Sequence, residues 1–131
     1  MGDGLHTAKG ISASGMRGQA MRLRLTSENI ANADTPGYRR KLTTFEQVVE
    51  AGRETGRIKM GSVKLDQSEL ERLYNPSHPL ANEDGYLDGS NVSLVVEIAD
   101  AREAQRSYEA NLRMFDQARK MRTSLLELLR R

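Results

Sequence analysis

Between Gly4 and Asn32 the apolar positions recur with helical spacing. At about 100° per residue, Leu5, Ala8, Met16, Leu23 and Ile30 fall on one stripe, while Ile11, Met21 and Leu25 fall nearly opposite. A helix apolar on two sides is expected to be buried on both, which a simple two-helix hairpin cannot provide. Asp34-Thr35-Pro36-Gly37 stops the run, because Pro36 disfavours a helical Thr35 and Gly37 permits a turn.

From Asn91, a good N-cap type, to Arg131 there is no glycine or proline, so a second helix is expected over the whole stretch. Leu94, Ala101, Tyr108, Phe115 and Leu129 recur at heptad spacing with Arg122 as the one misfit. Ile98, Ala104, Leu112, Ala118, Leu125 and Leu126 flank them. A heptad implies left-handed supercoiling against a partner helix. Acids lead (Glu97, Asp100, Glu103) and bases trail (Arg119, Lys120, Arg122, Arg130, Arg131), which suits the helix dipole. A helix of about 40 residues is about 60 Å long, whereas a compact chain of this size is only about 36 Å across. Either the helix kinks, or the two terminal helices pair as an antiparallel stalk with apolar surface left for neighbours.

All three prolines lie between Asp34 and Ser90, so the chain divides into a helical start (1–33), an irregular middle (34–90) and a helical end (91–131). In the middle, a short helix is expected over Thr44 to Glu54. Alternation from Arg57 to Asp66 suggests short strands, as do Leu73-Tyr74 and Tyr86-Leu87 around their turns. The fold class is therefore mainly α, with a small irregular or β middle segment.

Composition changes this picture little. The 131 residues suit one domain, and with 5% aromatic residues and no Trp a core must come from Leu, Ile, Val, Met and Ala. The net charge of +2 arises from interspersed charges and does not call for nucleic acid. Zero cysteines exclude disulfides, Cys-ligated zinc and thiol nucleophiles. Met1 to Ala20 is broken by Gly, Ser, His, Lys and Arg, so no cleavable signal peptide is expected, and no apolar run approaches a bilayer span.

No enzyme chemistry emerges. The two histidines, His6 and His78, lie far apart and outside any catalytic or ligand motif. Asn82-Glu83-Asp84-Gly85 fits part of a calcium loop, but that frame puts Leu80 and Asn91 where acids are required. Gly52 and Gly56 are not followed by a phosphate-loop lysine. The acid pairs Glu83/Asp84 and Glu69/Glu71 have no apolar cleft converging on them. Arg39-Arg40-Lys41 lacks the interleaved aromatics of a nucleic-acid reader and fits a solvated or subunit-contacting face. No cofactor, metal or small-molecule substrate is expected.

Four blocks carry a resemblance. Ser27-Glu28-Asn29-Ile30-Ala31-Asn32-Ala33-Asp34-Thr35-Pro36-Gly37-Tyr38 resembles the N-terminal signature of bacterial flagellar rod and hook proteins. Tyr74-Asn75-Pro76-Ser77-His78-Pro79-Leu80-Ala81-Asn82-Glu83-Asp84-Gly85-Tyr86 is similar to a stretch of the proximal-rod members. Arg106-Ser107-Tyr108-Glu109-Ala110-Asn111 and Ile11-Ser12-Ala13-Ser14-Gly15-Met16 fit as well. The chain departs from the family in its short Asp34 to Tyr38 turn, where many members carry a longer insert, and in Ser90, where a proline is usual.

The resemblance implies a structural subunit of the flagellar basal-body rod, in the periplasm between membrane ring and hook, exported unprocessed by the flagellar type III apparatus. It implies terminal helices paired as a coiled coil lining a channel. The partners it implies are other rod subunits, further copies of itself in a helical assembly, and membrane-ring and export-gate proteins at the rod base. On this reading Leu5, Met16, Leu23, Ile30, Tyr108, Leu112 and Phe115 serve subunit packing. Asn29, Asn32, Pro36, Gly37 and Tyr38 carry the family motif and set the turn. A sister rod protein of the same family is one alternative; a basic helical-hairpin adaptor for acidic proteins or nucleic acid is the alternative from a different class, and it leaves the second apolar face unexplained.

Overall fold

The computed structural model describes residues 2–131. Two long helices, α1 (Gly2–Ala31) and α2 (Leu94–Arg130), flank six short strands: β1 (Lys41–Leu42), β2 (Phe45–Glu50), β3 (Arg53–Met60), β4 (Lys64–Leu65), β5 (Arg72–Tyr74) and β6 (Tyr86–Asp88). The strands form three antiparallel pairs, β1 with β4, β2 with β3, and β5 with β6.

α2 runs unbroken for 37 residues, about 55 Å at 1.5 Å per residue, and packs along α1. Asn29 meets Glu97, Arg22 meets Asp100 and Glu103, Gly15 meets Asn111, and Lys9 lies over Phe115. Position therefore rises along α2 as it falls along α1.

The seam between the helices is made of small and polar residues. Ser12, Gly15 and Thr26 of α1 are buried, as are Glu97, Ala104 and Ala118 of α2. A Cβ on Gly15 would come 2.6 Å from Asn111 Oδ1, so glycine is what allows the close approach. Of the heptad positions, Ala101, Tyr108 and Phe115 are half-buried, while Leu94 and Leu129 are exposed.

The second face of α1, which a simple two-helix hairpin could not bury, is covered within the chain. The β2–β3 hairpin lies against it. Ile11 touches Gly56, Gly18 faces Ile58 and Phe45, and the backbone N–H of Ile58 donates to Ser14 Oγ at 3.1 Å. The short helix expected over Thr44 to Glu54 is absent. Those residues form β2 and the turn into β3, with Ala51 and Gly52 both at positive φ, 51° and 76°. Left-handed residues at both turn positions match the twist of a two-residue hairpin, although alanine at the first of them is not a residue that announces such a turn. The strands expected at Leu73-Tyr74 and Tyr86-Leu87 are present and pair with each other.

Candidate functional site

The end of α1, the loop after it and the start of α2 meet in a polar junction. Its centre is the Glu97 carboxylate, 0% exposed on the first turns of α2. Arg40 Nε donates to Glu97 Oε1 at 2.6 Å, and Asn29 Nδ2 donates to Glu97 Oε2 at 3.3 Å. A carboxylate stripped of water is tolerated only with such partners. Arg40 also reaches Asp66 Oδ2 at 3.5 Å and Asp100 Oδ2 at 3.6 Å. Burial pulls the Arg40 guanidinium down, but its bonds and charge pairing with Glu97 and Asp66 outweigh that and hold it above its ordinary value.

Asn29, also buried, uses both ends of its amide. Its Oδ1 accepts from the Tyr38 hydroxyl and from the backbone N–H of Lys41, each at 2.8 Å, while Nδ2 also donates to the Lys41 carbonyl at 3.1 Å. This exchange treats Asn29 as an extra strand residue beside β1. Burial, then the nearby Glu28 carboxylate, raise the Tyr38 phenol above its usual value. Asn32 Nδ2 donates to the Glu28 carbonyl at 2.9 Å and its Oδ1 accepts from Thr35 at 3.1 Å, closing the turn. Gly37, at φ 76°, donates its N–H to the carbonyls of Asp88 and Gly89. Pro36 is exposed on that turn.

Asn91 does not cap α2 as expected. The helix starts three residues later, after Ser93. Asn91 Oδ1 instead accepts from the Arg40 N–H at 2.7 Å, and its Nδ2 donates to the Asp66 carbonyl at 3.0 Å. A side chain committed to tying two loops together cannot also cap a helix.

The structure thus brings Asn29, Asn32, Gly37 and Tyr38 into one cluster. The residues expected from the sequence to serve packing lie elsewhere. Leu5, Met16 and Leu23 are half-buried along α1, Tyr108 and Phe115 are half-buried along α2, and Ile30 and Leu112 are exposed. Sequence reasoning missed Arg40, Glu97 and Asn91 as members of the junction. Arg40 and Glu97 are separated by 57 positions, so no local pattern in the sequence signalled their pairing. Among the described residues no group of His, Cys, Asp or Glu could hold a metal ion, and no helix is long and apolar enough to cross a membrane.

Residues 11–39 match the family described as "Flagella basal body rod protein", and residues 83–128 match "Flagellar basal body rod FlgEFG protein C-terminal". These segments hold Asn29 to Tyr38 on one side of the junction and Asn91 and Glu97 on the other, while Arg40, Lys41 and Asp66 lie between them. The chain is also 40% identical to the flagellar basal-body rod protein FlgC of Agrobacterium fabrum, over 98% of this chain and 97% of that protein. The chain belongs to the FlgC family. The FlgC proteins of Salmonella typhimurium (33% identical, 90% of this chain and 92% of that one) and Bacillus subtilis (29%, 90% and 93%) are similar over nearly the same extent. As a FlgC-family member the chain is a structural subunit of the flagellar basal-body rod and not an enzyme.

Proposed function

We propose that this chain polymerises through α1 and α2, paired as an antiparallel coiled coil, into a stiff hollow rod that carries torque from the membrane ring to the hook. The observation that supports this most is the apolar surface of α2 that its own chain leaves bare. Val95 is 79% exposed and Leu129 83%, and Leu94, Ile98, Leu112, Met114, Met121, Leu126 and Leu128 are exposed with them. A soluble monomer gains nothing from so much uncovered Leu, Val and Met, whereas a subunit buries it on neighbours.

In this reading the polar junction fixes the angle between the helix pair and the middle segment, which sits outside the shaft. Other rod subunits and copies of this chain cover the exposed stripe, and membrane-ring and export-gate proteins meet it at the rod base. Export into the periplasm without a cleaved signal agrees with the use of Leu5 to Ile11 in the folded helix pair. Their removal would strip Leu125 and Phe115 of their partners.

The test is a chain carrying Leu126→Asp and Leu129→Asp, both at exposed positions, expressed at the wild-type level. It should keep its helical circular dichroism yet be missing from purified basal bodies. Normal incorporation would overturn the proposal.

A further inference from the structure

Resting on the rod reading, we propose that Met114 and Met121 form a reversible oxidation site, at which an oxygen atom added to the thioether bars the free subunit from the rod. The chain has no cysteine and no tryptophan, so its methionine thioethers are the only sulfur a peroxide can oxidise. Exposure separates those thioethers. Met114 is 61% exposed and Met121 50%, whereas Met16, Met21 and Met60 are half-buried. Met16 and Met21 lie on α1, and Met60 sits opposite Phe45 in the β2–β3 ladder. Susceptibility to oxidation follows access, so among the described residues the two open sulfurs both belong to α2.

Their placement gives oxidation a consequence. Seven positions apart on a helix, the two side chains are only about 20° out of line and share one flank of α2. Both line an apolar groove of about 320 Å³ between the helices, with Leu5, Ala8 and Ile11 of α1 opposite them and Ala118 between them. A thioether suits such a groove, being apolar and adaptable in shape. A sulfoxide does not, because its S–O bond is a strong acceptor and the lining offers only the Gln117 amide and the Ser12 hydroxyl as side-chain donors. In the free subunit the added oxygen turns to water and the fold keeps its contacts, since neither methionine is buried. Against a neighbour that water is excluded, and an acceptor left without a donor opposes the contact.

The step balances with a peroxide as oxidant. The sulfur lone pair attacks one peroxide oxygen, the O–O bond breaks, an S–O bond forms and the second oxygen leaves as water; sulfur loses two electrons and the peroxide gains them. A sulfoxide reductase removes the oxygen again as water at the expense of two thiols, which makes the mark reversible. Rod assembly covers the flank, so the subunit is open to oxidation only before it joins.

The purified chain is treated with hydrogen peroxide and its peptides are followed by mass spectrometry. Met114 and Met121 should oxidise at least roughly fivefold faster than Met16, Met21 and Met60, with the helical circular dichroism unchanged. Met114→Gln with Met121→Gln sets polar groups of similar length at both sites and should cut incorporation into basal bodies at least about tenfold at matched export. Met114→Leu with Met121→Leu stays apolar, cannot be oxidised and should incorporate normally. Unselective oxidation, loss of the helical signal on oxidation, normal incorporation of the Gln variant or exclusion of the Leu variant would each overturn the proposal. The ranking in solution does not depend on the rod. Selective oxidation in solution without protection of the same two methionines in assembled basal bodies would overturn the proposal through the rod reading, whereas unselective oxidation overturns it and leaves that reading standing.

Discussion

Replacing Arg40 by alanine should cost about 3–5 kcal/mol of folding free energy, because it strands the Glu97 carboxylate in a dry site. Glu97 is 0% exposed and would keep only the Asn29 amide at 3.3 Å. One such hydrogen bond to a charge contributes about 1.5–3 kcal/mol, too little to offset the lost hydration of a buried ion. A domain of this size has about 5–15 kcal/mol in total, so the variant loses a large share. At about 3–5 °C per kcal/mol for a chain of this length, the melting temperature should fall by about 10–20 °C, read from circular dichroism at 222 nm and from urea unfolding. Arg40→Met combined with Glu97→Leu should recover most of the loss, since a buried ion pair replaced by apolar side chains of similar volume is close to neutral. A variant Arg40→Ala within about 1 kcal/mol of wild type, or a double variant less stable than the single one, would show that the pair does not hold the junction.

Further predictions concern the seam and the loops. Phe115→Ala should lose about 2 kcal/mol, roughly half the cost at a fully buried site, while Arg113→Ala on the exposed face should stay within about 0.5 kcal/mol; equal losses in urea titrations would refute the inward placement of Phe115. Gly15→Ala gains about 1 kcal/mol of helix propensity but sets a methyl 2.6 Å from Asn111 Oδ1, so it should destabilise the wild-type chain and stabilise one that already carries Asn111→Ala. A double-mutant cycle with no coupling would mean the helices do not approach closely there. The Asp66 carboxyl is held below its usual 3.8 by the Ser68 backbone N–H, then by the Ser68 hydroxyl and Arg40. Between the folded and unfolded values the unfolded chain binds more protons, so this contribution is full above 3.8 and lost as pH falls through the lower folded value. The stability gap between wild type and Asp66→Asn should therefore be constant near neutral pH and shrink below about pH 4. Because the Asp66 side chain keeps about a fifth of its surface in solvent, 22% exposed, the gap is small and should diminish with added salt. A gap that widens in acid would refute the assignment.

The sequence by itself determined where the two long terminal helices lie. Pro36, Pro76 and Pro79 are confined to the middle, and the stretch after Asn91 has no helix breaker; backbone sterics is local, so those limits can be read without a fold. The family blocks were equally legible, because their residues are specified in order along the chain. What the sequence left open was which stripe of α2 faces inward. Leucines at 94, 112 and 129 are exposed, while Glu97, Ala104, Asn111 and Ala118 line the seam. Hydrophobicity could not decide this, since small and polar residues fit against Gly15 and Ser12 at close range and large apolar ones remain on the outside. The tertiary structure also turned Phe45 to Glu50 into a strand. Its pairing with β3 and its contact with Gly18 outweigh the helical preference of Glu46, Gln47 and Glu50. The junction was the least legible part. Arg40, Asp66, Asn91 and Glu97 are separated along the chain, and only the folded loops bring the charges close enough for each to replace the water the others have lost.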